Sequence, residues 1–218
     1  MTFLQSVGLT RFQRSALWLG MCALPAWAGA AACDTQSYIA NGTATYQMVS
    51  PAGKTTIVSK AVVKGSSVQV TSTIDGNSTN MVWNCTAKGM TASLPTGKAT
   101  ASFDLGFLPP SSAWKVGYSW TSTGKISGMA GMTINTSTRS KITASERVTT
   151  PAGTFTALRV ESTSASTVQL PPGMQADAMS KAMNSTTTST AWYAKGVGTV
   201  KSTSPESKFT MTLIKFVR

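Results

Sequence analysis

Apolar and polar side chains alternate with a period of two along most of this chain, and that pattern restricts it to half-buried antiparallel strands. Ala44, Tyr46 and Met48 alternate with Thr43, Thr45 and Gln47, and Val68, Val70 and Ile74 with Gln69, Thr71 and Thr73. The same spacing recurs in Ala101/Phe103/Leu105/Phe107, Val116/Tyr118/Trp120 and Phe209/Met211/Leu213. Successive strand side chains point to opposite faces, so a period of two buries one face and wets the other. The abundance of Val, Ile, Thr and aromatics suits that setting, because such side chains pack well on a pleated surface. The fold class expected is mainly β.

Turn signals divide the strands. Ser50-Pro51-Ala52-Gly53 and Thr150-Pro151-Ala152-Gly153 are near copies. Proline at the second position presets φ, and Gly53 or Gly153 at the fourth accepts the positive φ that begins a bulged return strand. Asp75-Gly76, Pro109-Pro110 and Gly196-Val197-Gly198 mark further bends. One segment departs from strand grammar. In residues 173–184, Met174, Ala178 and Ala182, with Met179 and Met183, recur at helical spacing, while Asp177, Ser180, Lys181 and Asn184 take the other side. This predicts one short amphipathic helix, preceded by Pro171-Pro172.

The first residues have the three parts of a secretory signal. Arg11 and Arg14 provide positive charge, residues 15–24 are a short apolar run, and Ala26-Trp27-Ala28 forms an A-x-A site. The run is shorter than the roughly 20 apolar residues needed to cross a bilayer. Cleavage after Ala28 leaves residues 29–218, enough for a single β-rich domain. The expected location is periplasmic or secreted. Loss of Arg11 and Arg14 lowers the net charge from +12 to +10, a basic surface that favours anionic partners and allows peripheral membrane contact. The basic residues stand singly rather than in a clustered stripe, which argues against nucleic acid. Of the three cysteines, Cys22 leaves with the signal. Cys33 and Cys85 remain as a disulfide pair suited to an oxidising compartment. The alternative is a lipoprotein acylated at Cys33, which follows three alanines but lacks the larger aliphatic residue such signals carry.

Nothing in the sequence supports a catalytic site. Histidine is absent, which removes the commonest general base and Cys/His zinc sites. The acids Asp34, Asp75, Asp104, Glu146, Glu161, Asp177 and Glu206 are scattered. Ser112-x-x-Lys115 and Ser122-x-x-Lys125 match the S-x-x-K pattern of penicillin-recognising enzymes, but the companion S-D-N and K-T-G motifs are missing. Methionines 174, 179 and 183 are soft donors of the Cu(I) type, yet methionine is also a flexible filler of apolar surfaces. The expectation is a protein that is not an enzyme, with no cofactor and no metal.

Two segments resemble a known family. Residues 148–160, containing Val148 and Pro151-Ala152-Gly153-Thr154-Phe155, are similar to a V-x-x/V-P-A-G-T-F-x-A-x-x-V motif, and residues 192–201 to W-Y-A-x-G-V-G-x-V-K. Together they resemble a broad family of exported bacterial envelope proteins, many of them lipoproteins, whose domain has no assigned function. Pro151, Gly153, Gly196 and Gly198 serve as structural turns in both motifs, so no catalytic residues come with the resemblance. By analogy, the family resembles the curved half-barrels of envelope lipid carriers. The implied fold is a single antiparallel, strongly curved sheet, or an open β-barrel or half-barrel, with one short helix.

The first functional expectation is a non-catalytic binding module for an apolar or amphiphilic ligand such as lipid. Tyr46, Trp83, Phe103, Trp120 and Trp192 would line a concave wall, with Met174, Met179 and Met183 on the helix as a lid. The alternative is an envelope assembly or scaffold protein that binds another protein through a sheet edge or the Met-rich face. A small outer-membrane barrel fits the strand content, but the many lysines and the non-aromatic Arg218 terminus argue against it.

Overall fold

The alternating segments form twelve strands among the described residues. In the computed structural model, residues 38–86, 89–96, 99–129, 132–170 and 185–218 are described, apart from the side chains of 86, 89, 93–96, 99–108, 126–129 and 132. The first six strands are β1 (Gly42–Ser50), β2 (Gly53–Lys64), β3 (Ser67–Ile74), β4 (Asn77–Thr86), β5 (Gly89–Thr96) and β6 (Ala99–Leu108). A 3-10 turn (Ser111–Ala113) leads to β7 (Ser119–Met129), β8 (Met132–Thr150), β9 (Gly153–Gln169), β10 (Ser185–Ala194), β11 (Gly198–Ser204) and β12 (Phe209–Val217). The helix predicted over residues 173–184 lies outside the described residues, as do the signal segment and Cys33.

All twelve strands belong to one antiparallel sheet in the order β6-β5-β4-β3-β2-β1-β12-β11-β10-β9-β8-β7. Strands β1 and β12 pair at its centre, and two arms of consecutive hairpins extend from them. The outermost strands, β6 and β7, lie alongside each other although the ladder order leaves them as the two edges. The sheet therefore curls round without closing into a barrel.

Local chemistry accounts for the hairpins. Ser50 pairs with Gly53 and Thr150 with Gly153, so Pro-Ala is the two-residue loop in each case. Gly53 and Gly153 have φ of +124° and +132°, which a side chain would resist. Thr150 steadies its turn, its hydroxyl donating to the Gly153 carbonyl at 3.3 Å and accepting from the Ala152 amide at 3.2 Å.

The core occupies the space between the arms. Ala61, Val68 and Met90 from the first arm meet Ile142 and Val160 from the second, with Trp114 from the β6–β7 connection among them. A smaller cluster gathers Ala44, Val148, Ala157, Ala194, Val200 and Leu213. It forms because β8, the longest strand, also touches β11 and β12, which are not its neighbours in the sheet. A register shift between Ile142 and Ala144 leaves Thr143 as an extra residue in β8. Such a bulge bends its strand and increases the local twist.

Candidate functional site

Alternation on β1 to β4 places one set of side chains around a cavity. Gly42 pairs with Ala61, Ala44 with Ser59, and Val68 with Trp83, so these positions share faces across the arm. Tyr46, Ala61, Val70 and Trp83, with Tyr38 and Phe216, line a partly open cavity of about 160 Å³. Gly198 completes its wall. Its φ is +103°, and a Cβ there would come within 2.9 Å of the Tyr38 carbonyl oxygen, so only glycine fits without displacement. Burial pushes the Tyr46 hydroxyl up to about 12, with a further contribution from the nearby Tyr193. Tyr193 is likewise raised to about 12 by burial, against an opposing hydrogen bond with Thr199.

An aromatic cluster centred on Trp114 packs beside this cavity. The Trp114 ring stacks on Tyr38 with centroids 3.7 Å apart and meets Tyr193 edge-on at 5.2 Å. Its indole N–H donates to the Pro109 carbonyl at 2.7 Å, which satisfies the buried polar atom. Trp120 lies 6.3 Å from the same ring, between Trp114 and Tyr118. The Trp120 Nε1 is buried with no hydrogen-bond partner among the described residues. Sequence reasoning missed Trp114, Tyr38 and Tyr193 as a group. The available signal was a tryptophan in a proline-bounded loop, where a strand pattern gives an aromatic no reason to be.

The residues expected to form one concave wall are dispersed. Tyr46 and Trp83 meet at the cavity. Trp120 belongs to the adjoining aromatic cluster. Trp192 does not line the cavity: the β10 register pairs it with Arg159 and Lys201, and its indole N–H donates to Glu146. Phe103 pairs with Ala92 in the backbone register of β6, and its side chain is outside those described. Met174, Met179 and Met183 are outside the described residues, so the lid has no described counterpart. Cys85 packs at the margin of the larger cluster.

The other chemical candidates are occupied or separated. Ser122 is buried and Lys125 exposed on opposite faces of β7, and Ser112 and Lys115 are exposed on the β6–β7 connection. Glu146 accepts from Trp192, Glu161 pairs with Arg159 at 3.3 Å, and Thr188 donates to Glu206, which holds that carboxyl below its usual range. Asp75 occupies the β3–β4 turn with φ of +48°. No group of three potential metal ligands among His, Cys, Asp and Glu occurs among the described residues.

The family match falls on the second arm. Residues 115–211 match the DUF3108-like family. The DUF3108-like match covers less than half of the chain, running from the end of the Trp114 connection into β12, and it contains both the Pro-Ala-Gly hairpin and the Trp192–Lys201 segment. No curated protein matches the chain. Two solved structures are similar over 84% of it. One is a Bacteroides fragilis protein described as exported with a YmcC-like fold, at 14% identity and a TM-score of 0.43 over 98% of its length. The other is a Parabacteroides distasonis protein described as a lipoprotein, at 13% identity and a TM-score of 0.49 over 99% of its length.

Proposed function

We propose that this chain is exported and acts, periplasmic or secreted, as a non-catalytic envelope protein that holds an amphiphile by its apolar end. Export rests on the leader grammar of residues 1–28. Binding rests on one observation: Tyr38, Tyr46, Trp83 and Phe216 line a partly open cavity of about 160 Å³. A cavity of roughly 150 Å³ in an apolar core can hold a benzene-sized guest, whereas sites that engulf whole ligands run to about 300–1,000 Å³. The guest is therefore one ring or a short alkyl end, with the rest of the molecule outside. A whole lipid is too large for this cavity.

The scaffold reading is weaker on two grounds. Strand addition needs a free edge, and β6 and β7 lie against each other. The exposed large apolar residues Val49, Val58, Ile74, Val116 and Val217 are distributed over several strands and a loop rather than gathered in one patch.

Mass spectrometry of protein purified from the periplasm without detergent tests the proposal. The expected native spectrum carries an added small-molecule mass that disappears on denaturation, and Ala61→Leu, which fills the cavity, abolishes it. An unliganded native mass for wild type, or a guest retained in Ala61→Leu, would overturn the binding reading. A chain beginning at Gly29 supports export, whereas retention of residues 1–28 contradicts it. A deficit of two hydrogens identifies the Cys33–Cys85 disulfide, worth about 3–5 kcal/mol in the chain-entropy model. A diacylglycerol-sized increment identifies the lipoprotein form instead.

A further inference from the structure

The face of the sheet opposite the aromatic cluster is an array of threonines and cations. Paired residues in an antiparallel ladder share a face, so the register traces rows across the strands. One row runs Lys141–Glu161–Thr190–Thr203–Thr210–Val49–Lys54. The next runs Arg159–Trp192–Lys201–Thr212–Gln47–Thr56. Arg139 lies in the neighbouring row beside Thr163 and Thr188. Three acids stand near these cations, and all are engaged: Glu161 with Arg159, Glu146 with the Trp192 indole, and Glu206 with the Thr188 hydroxyl.

The array contains a depression. An open cleft of about 760 Å³ crosses β7 to β10, bordered by Arg139, Lys141, Glu161, Thr163 and Thr188. These five are exposed, whereas Trp120 and Ser140, which also line the cleft, belong to the alternate positions facing the other side, and Ser140 is 5% exposed, so the cleft opens on the cationic face. Beside it, the half-buried Trp192 has the Lys201 ammonium 5.2 Å from its ring centroid.

We propose that this cleft and the rows around it bind an acidic polysaccharide, a chain of sugar rings bearing carboxylates. Arg139 and Lys141 pair with the carboxylates, the threonine hydroxyls exchange hydrogen bonds with sugar hydroxyls, and the cleft seats an extended strand. An anionic bilayer presents the same charge but suits the face less well. A curled sheet meets a flat membrane only along a narrow strip. The exposed apolar side chain in these rows is Val49, and their aromatic, Trp192, is half-buried with the Lys201 ammonium over its ring. Neither offers the exposed aromatic or leucine anchors found at the headgroup boundary. This site is independent of the occupant of the inner cavity.

Binding of the exported protein to immobilised alginate, with neutral dextran and phosphatidylglycerol vesicles as comparisons, tests the proposal. Wild type is expected to bind alginate with an affinity that falls as salt rises, and to ignore dextran. Arg139→Ser/Lys141→Thr should weaken alginate binding about twenty-five-fold, from roughly fivefold for each of the two cations removed near an anionic surface. Lys195→Ser/Lys208→Asn removes the same charge from two turns and should change binding less than about twofold. Because all four positions are exposed, matching melting curves will show that both variants fold. Equal weakening by the two pairs would reduce the effect to net charge and overturn the site. Failure to bind alginate, or stronger binding to the vesicles, would also overturn it.

Discussion

Two glycines with the same backbone hand separate strain from crowding. Gly53 and Gly198 both have positive φ, at +124° and +103°, but a Cβ at Gly53 meets nothing within 4 Å while one at Gly198 meets the Tyr38 carbonyl oxygen. Gly53→Ala should cost about 1 kcal/mol through backbone conformation alone. Gly198→Ala should cost about 1–3 kcal/mol more, because Tyr38 must shift and its stack on Trp114 must loosen. Urea unfolding midpoints measure the difference, and equal losses would show that the Tyr38 approach is not a constraint. The buried tyrosines give a second prediction. Their pKa values of about 12 lie above the ordinary 10, so the unfolded chain releases these protons first as pH rises. Stability is therefore complete below pH 10 and declines between pH 10 and about 12. Tyr193→Phe should remove roughly half of that decline, as read from melting temperatures across the alkaline range. An unchanged slope would assign the alkaline loss to other groups.

Strands were legible because period two survives even where the inward residues are small or polar. On β8 and β9, Ser140 faces Ser162 and Thr138 faces Ser164, with hydroxyl oxygens 2.8 Å apart in each pair. These strands hold their place through hydroxyl pairs where an apolar side chain would be expected. Hairpin turns were equally legible, since Pro-Ala-Gly carries its own backbone geometry. The bulge at Thr143 was not, because an extra residue leaves no mark in composition and its placement depends on the partner strand. Trp114 was hidden for a related reason. Its partners Tyr38, Pro109 and Tyr193 are brought together by the curl of the sheet, and only the Pro109 contact is local. The lysines show the converse. Read along the chain they stand singly, with no clustered stripe. Folding places several on one side, because charged residues on successive strands occupy the outward positions of the same alternation.

The whole molecule depends on its last strand. β12 pairs with β1 on one side and β11 on the other, and it supplies Leu213, fully buried in the smaller cluster. Among the described residues, the backbone ladder joins the two arms at β1–β12, and the chain links them through the β6–β7 connection. Ending the chain after Lys208 would open two long edges, on β1 and β11, at the centre of the sheet. Such edges promote association with other chains. The shortened protein is expected to lose cooperative thermal unfolding and to elute as aggregate on size exclusion. Removing Arg218 alone, which gives up one hydrogen bond to the Gly196 carbonyl at 3.0 Å, should change the melting temperature by only a few degrees. A soluble, cooperatively melting chain without β12 would mean that each arm folds by itself. In that case the contact between β6 and β7, not the β1–β12 ladder, would be what holds the curl. If the prediction holds, the central pair joins strands distant in sequence, and the sheet cannot assemble until β12 is available. That delay would suit the export proposed for this chain, since an exported chain must remain unfolded until it has crossed the membrane.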